Sequence, residues 1–297
     1  MRYILEQQIT SFDQVDWNQI RKELNGDVTD LYCLSDQITS FQYLSNSVTT
    51  LTCDNNKITS FQYLPNSVTT LYCSYNQITS FQYLTNSVTE LYCTNNKIKN
   101  FQYLTNSVTK LNCTNNQITS FQYLLNSVNI LFCRNNQITS FQYLTNSVTT
   151  LFCDNNKITS FQYLSNSVTT LDCRNNQITN FQYLPNSVNI LFCSHNRITS
   201  FQYLPIGVNS LDCDNNPIKS IKYLISLGYI KCDISIDKIK INKNRFNHGL
   251  IIISKIYNHK CTTKIIKQWQ KYWYDELILV DDTMMNRFGL ASWILMN

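Results

Sequence analysis

The chain has 297 residues, 43% hydrophobic and 14% charged, with five Gly, twelve Cys and a formal net charge of +5. That balance excludes a highly charged disordered tail, and so few glycines exclude a collagen-like fibre. The charge is uneven: residues 1–30 sum to −3, residues 31–220 to +2 and residues 221–297 to +6, so the long middle section is almost neutral. Near-neutrality argues against a nucleic-acid groove along it.

The opening stretch MRYILEQQITSFDQ lacks the apolar core of a secretory signal. The longest purely aliphatic runs, Leu250–Ile253 and Leu277–Val280, fall far short of the ~20 residues of a membrane helix. The expectation is a soluble, monomeric, intracellular protein of the cytoplasm, with neither membrane nor nucleic acid as partner. Ile9-Thr10-Ser11-Phe12 states a phrase, ITSF, that returns throughout the chain. Behind it, Trp17, Ile20 and Leu24 share one face at helical spacing. This predicts a helix over about 13–24, stopped at Asn25-Gly26, within an N-terminal cap of residues 1–27.

Residues 28–224 then write one 20-residue unit ten times. Aligned on the cysteine it reads V-x-x-L-x-C-x-x-N-x-I-x-x-F, as in Val48, Leu51, Cys53, Asn56, Ile58 and Phe61. Leu-x-Cys alternates with period two, the mark of a short strand with one buried face. Asn56 and its equivalents through Asn216 stand where the chain turns out of that strand. A buried amide there can satisfy backbone groups of its own and the neighbouring loop. Ten cysteines from Cys33 to Cys213 are spaced by 20 without exception. Metal sites use close pairs, and none occurs. Stacked side chains pointing the same way suit disulfides poorly, so these are read as buried thiols acting as small hydrophobes. No cofactor or metal is expected.

The repeated unit resembles the leucine-rich repeat, L-x-x-L-x-L-x-x-N-x-L, with Cys in the third apolar slot. Its 20-residue length is similar to the short repeats of bacterial effectors, and its Asn-rich, nearly identical copies resemble leucine-rich repeat proteins of giant DNA viruses. The resemblance implies a curved right-handed solenoid: a parallel sheet on the concave side, an extended convex side and short helical caps. It also implies protein binding without catalysis, the partner of a viral chain being a host protein.

In such a solenoid the residues flanking Leu and Cys face the hollow, and these are the letters that change between copies. Units six to nine stand out, with Ile130, Phe132, Arg134, Phe152, Asp154, Asp172, Arg174, Ile190 and Phe192, joined by His195 and Arg197. Aromatic groups beside Arg are common at interface centres. An exposed binding patch is one reading. The other is a supporting aromatic ladder, with Asp154 neutralising Arg134 and Arg174 on either side. On the first reading, replacing Phe132, Phe152 and Arg174 together should abolish partner capture and leave the fold intact.

Residues 225–297 are read as a degenerate last repeat with a basic, α-rich cap. Ile230-Lys231-Cys232 echoes the strand pattern, and a helix is expected over Thr262–Val280, presenting Trp269 and Trp273. The alternative function is an adaptor or ubiquitin-ligase-like enzyme whose activity lies in this segment, at Cys232 or Cys261. Calmodulin or membrane binding through KIIKQWQKYW is weaker still. His195, His248 and His259 are scattered, without a nucleophile at a recognisable spacing.

Overall fold

The computed structural model describes residues 1–5, 8–33 and 37–219. In each turn Leu and Cys point inward and the residue between them points away. Eleven three-residue strands result: β1 (Arg2–Ile4), β2 (Asp30–Tyr32), β3 (Thr50–Thr52), β4 (Thr70–Tyr72), β5 (Glu90–Tyr92), β6 (Lys110–Asn112), β7 (Ile130–Phe132), β8 (Thr150–Phe152), β9 (Thr170–Asp172), β10 (Ile190–Phe192) and β11 (Ser210–Asp212). They form one parallel sheet in strict chain order. From β2 onward each residue pairs with its counterpart one unit later, as Leu131 with Leu151, so equivalent side chains stack in columns.

The expected right-handed solenoid forms, and it bends. On the outer face of the sheet, the rings of Tyr72 and Tyr92 lie 4.5 Å apart and those of Phe132 and Phe152 4.8 Å. The buried Phe column on the opposite side steps by 6.4 Å from Phe61 to Phe81 and 6.0 Å from Phe181 to Phe201. Turns packed closer on one side curve the stack toward it, which places the sheet on the concave face.

The repeated letters fill the interior. In the central turns Val, Leu, Cys, Ile and Phe are wholly buried, each large one contributing roughly 1.5–3 kcal/mol. Asn136 shows how the turn is held. Its Nδ2 donates to the carbonyls of Cys113 (3.1 Å), Cys133 (3.1 Å) and Arg134 (3.0 Å), while its Oδ1 accepts from Ile118 N (2.9 Å). The same bonds recur from Asn56 to Asn216 and rivet each turn to the one before it. Cys33 through Cys193 are buried thiols, and the Sγ of several, Cys53 and Cys113 among them, donates to a carbonyl of the next strand.

Two residues per turn adopt left-handed backbone. One opens the loop and is Asn in most turns, such as Asn135 (φ 49), a residue suited to that conformation, with Tyr75 and His195 in its place in two turns. The other is the exposed convex tyrosine, such as Tyr143 (φ 68), a bulky residue in a place that favours glycine.

At the N-terminus the structure departs from expectation. The helix α1 is shorter, Trp17–Leu24, and a 3-10 turn over Phe12–Gln14 precedes it. Asp16 is the cause: its side chain accepts from Gln19 N at 3.0 Å and caps the helix there, while Val15 stays extended. Ile20 is buried, and Trp17 and Leu24 pack against the core, as their spacing predicted. Asn25 takes the left-handed stop, with Gly26 N donating to Arg21 O. Strand β1 was not foreseen. Tyr3 and Leu5 stand in for Leu and Cys and pack on the core, and Tyr3 pairs with Leu31. Leu34, the degenerate repeat around Ile230–Cys232, the helix at 262–280, His248, His259, Cys232 and Cys261 lie outside the described residues.

Candidate functional site on the concave sheet face

Strands β7–β10 set three parallel columns of side chains toward the hollow. One runs Ile130, Thr150, Thr170, Ile190; the next runs Phe132, Phe152, Asp172, Phe192. The third follows the cysteines with Arg134, Asp154, Arg174 and Ser194. All nine expected residues therefore come together on one stretch of the face. His195 and Arg197 do not join them. His195 is an exposed left-handed turn residue (φ 56) whose Nε2 meets Asn215 Nδ2 at 3.0 Å, and Arg197 is exposed beyond that turn.

Their exposure differs from the expected open patch. Phe152, Asp154, Asp172 and Phe192 are buried, while Ile130, Phe132, Arg134, Arg174 and Ile190 are half-buried. Large side chains on adjacent strands cover one another. Phe132 and Phe152 stack nearly parallel (9°), the Arg134 guanidinium lies 4.9 Å from the Phe152 ring centre, and Arg174 lies 5.6 Å from that of Phe192.

At the centre is Asp172, fully buried between Phe152 and Phe192 on the neighbouring strands. Its two oxygens accept the fork of Arg174, Nε at 2.9 Å and Nη2 at 2.6 Å, and Arg134 Nη2 reaches Oδ2 at 3.3 Å. Asp154 sits 2.8 Å from Arg134 Nε, in ion-pair contact without hydrogen-bond alignment. The expected arrangement, Asp154 bridging both arginines, is thus corrected: Arg174 belongs to Asp172. Two residues before Arg174, at the end of β9, the Asp172 carboxylate matches the planar guanidinium, a geometry Asp154 does not offer.

Burial raises the Asp154 carboxyl to about 6, reinforced by the charge of Asp172, and the attraction of Arg134 and Arg174 does not offset it. For Arg174 burial opposes the cation, yet the bonds to Asp172 and the nearby carboxylates hold its proton above the ordinary value. The cysteine thiols are pushed well up by burial, so they are poor nucleophiles and poor metal ligands at neutral pH. Among the described residues no group of three or more His, Cys, Asp or Glu is placed to hold a metal ion.

A second cluster on the same face was not singled out. Tyr72 and Tyr92 stack, Tyr92 Oη donates to Glu90 at 2.9 Å, and Lys110 Nζ lies 5.4 Å from the Tyr92 ring centre. These residues occupy the same varying columns, and that signal would have found them. The triple substitution at Phe132, Phe152 and Arg174 would also lower stability, because removing Arg174 strips the principal partner from a buried carboxylate, so loss of capture would not report binding alone.

No protein-family profile matches the sequence, and no curated protein does. Solved structures do. YopM of Yersinia enterocolitica aligns with a TM-score of 0.53 at 22% identity, over 65% of this chain and 48% of that one. The functional domain of InlJ of Listeria monocytogenes, described as including a cysteine ladder, aligns with 0.53 at 26%, over 68% and 47%. YopM of Yersinia pestis, described as a leucine-rich effector protein, aligns with 0.53 at 23%, over 65% and 62%. The chain spans less than two thirds of the length of each. These likenesses show the leucine-rich repeat fold.

Proposed function

We propose that this leucine-rich repeat solenoid is a non-catalytic scaffold that binds a protein through the concave face of β7–β10. The observation that carries the reading is where the copies differ. Core, loop and convex letters recur from turn to turn, whereas the columns facing the hollow change most from turn to turn and gather Phe, Ile and Arg in consecutive turns. Arg134 and Arg174 are held by carboxylates and rings, so their outer faces are fixed before a partner arrives. Such preorganisation lowers the entropic cost of association. Ile130, Phe132 and Ile190 add half-buried apolar surface around them.

The described residues contain no helix long and apolar enough to cross a membrane. If the repeats belong with those of giant DNA viruses, the partner is a host protein of the cytoplasm, bound by a monomer.

The test uses letters that the same columns already hold. Ile130→Thr, Ile190→Thr and Phe132→Asn copy Thr150, Thr170 and Asn112, so the fold should persist. Affinity capture with mass spectrometry is expected to yield a partner that this variant loses and a convex Tyr103→Ser, Tyr123→Ser variant keeps. Loss with the convex variant alone would sink the reading.

A further inference from the structure

The flank where the chain leaves each strand carries a charge pattern that the near-neutral sum conceals. Residues 37–219 hold nine Lys or Arg and six Asp or Glu. All six acidic residues sit on a strand or directly after a cysteine, facing the hollow. Three cations share that face: Lys110 against Tyr92, and Arg134 and Arg174 against carboxylates. The other six, Lys57, Lys97, Lys99, Lys157, Arg197 and Lys219, are exposed past the asparagine turn and form no ion pair among the described residues. Four of them occupy one column. Lys57, Lys97, Lys157 and Arg197 each donate their backbone N–H to the isoleucine carbonyl of the preceding turn, at 2.8–2.9 Å. Over residues 37–219 this side of the solenoid is therefore purely cationic.

The spacing suggests what meets it. Turns lie about 4.8 Å apart at the sheet, so each of these four cations is roughly 10–15 Å from the next. That is too sparse to follow a nucleic-acid backbone, and a single exposed aromatic ring, Tyr75, lies among them, which cannot stack a run of bases. Apart from Tyr75, His195 and Pro217, threonine, serine, glutamine and asparagine fill the rest of the flank, so it lacks the clustered apolar anchors of a protein hot spot. Lipid headgroups diffuse laterally and can gather under widely spaced charges, and a flank made of equivalent turn positions meets a flat surface along its whole length. We propose that this flank docks the solenoid, on its side, against an anionic phospholipid membrane surface, leaving the concave face open.

Glutamine is the native occupant of the same column at Gln77, Gln117, Gln137 and Gln177. Lys57→Gln, Lys97→Gln, Lys157→Gln and Arg197→Gln should therefore leave the fold unchanged, as circular dichroism will report. The full chain is expected to co-sediment with vesicles of phosphatidylcholine and phosphatidylserine but not with phosphatidylcholine alone, and to dissociate in high salt. The fourfold variant should bind at least about tenfold more weakly, and Gln77→Lys with Gln137→Lys should bind more tightly. Absent vesicle binding, or binding that neither variant alters, overturns the proposal. So does stronger capture of a single-stranded oligonucleotide that the fourfold variant abolishes.

Discussion

Asp172 is the residue on which the concave cluster turns. A carboxylate fully buried between two phenylalanines is tolerated because Arg174 meets both of its oxygens. Arg174→Ala is expected to cost about 3 kcal/mol, read as a lowered denaturation midpoint. A change under 1 kcal/mol would mean that Arg134 alone suffices. Asp154 predicts a pH dependence of definite sign. Its folded pKa of about 6 lies above its ordinary 3.8. Between those values the folded chain keeps a proton that the unfolded chain has lost. The contribution is therefore full below the lower value and disappears as pH rises through the upper one. Burial raises Asp54 and Asp212 in the same direction. Urea titrations should show stability falling over this range, by on the order of 2 kcal/mol from Asp154, and Asp154→Asn should flatten part of the slope. An unchanged slope would exclude the assignment.

At the scale of the element, each short strand is held less by its own residues than by the turn that follows. Asn136→Ala would orphan the buried Ile118 N–H, while the carbonyls of Cys113, Cys133 and Arg134 each keep one donor, from Asn116, Asn156 and Asn115. The expected loss is about 1–3 kcal/mol, larger than for a comparable exposed Asn such as Asn146. The thiols of Cys53 through Cys193 should label only as fast as the chain opens, which peptide mapping by mass spectrometry can follow. Fast labelling of Cys113 in the native protein would contradict its burial. Strand positions, the asparagine turn and the buried cysteines were all legible in the sequence, because a 20-residue period turns each into a repeated test of the same environment. Strand β1 was not, since Tyr3 and Leu5 fill the Leu and Cys slots only once and with different letters. The start of α1 was misread because apolar spacing registers a helix face, whereas the competing cap of Asp16 is a local hydrogen bond.

At the scale of the molecule, a stack in which each turn contacts its neighbours should tolerate loss of a whole turn and not of half of one. Deleting residues 101–120 brings Leu91 beside Leu131 with every column kept. Its circular dichroism per residue should match that of the full chain, with a modestly lower melting point. Deleting residues 101–110 puts turn letters into strand slots and should abolish cooperative unfolding. Similar melting of the two would refute the column model.

The sequence by itself determined the solenoid, its period, its core columns and the face on which variation gathers. These follow from periodicity, which needs no knowledge of distant contacts. Only the tertiary structure decided which carboxylate holds which arginine, that half of the expected patch is buried, and that the cations outside the hollow line one flank. Each of these depends on side chains from different turns meeting at distances of a few ångströms. Counting charges along the chain averages over the two faces that folding separates.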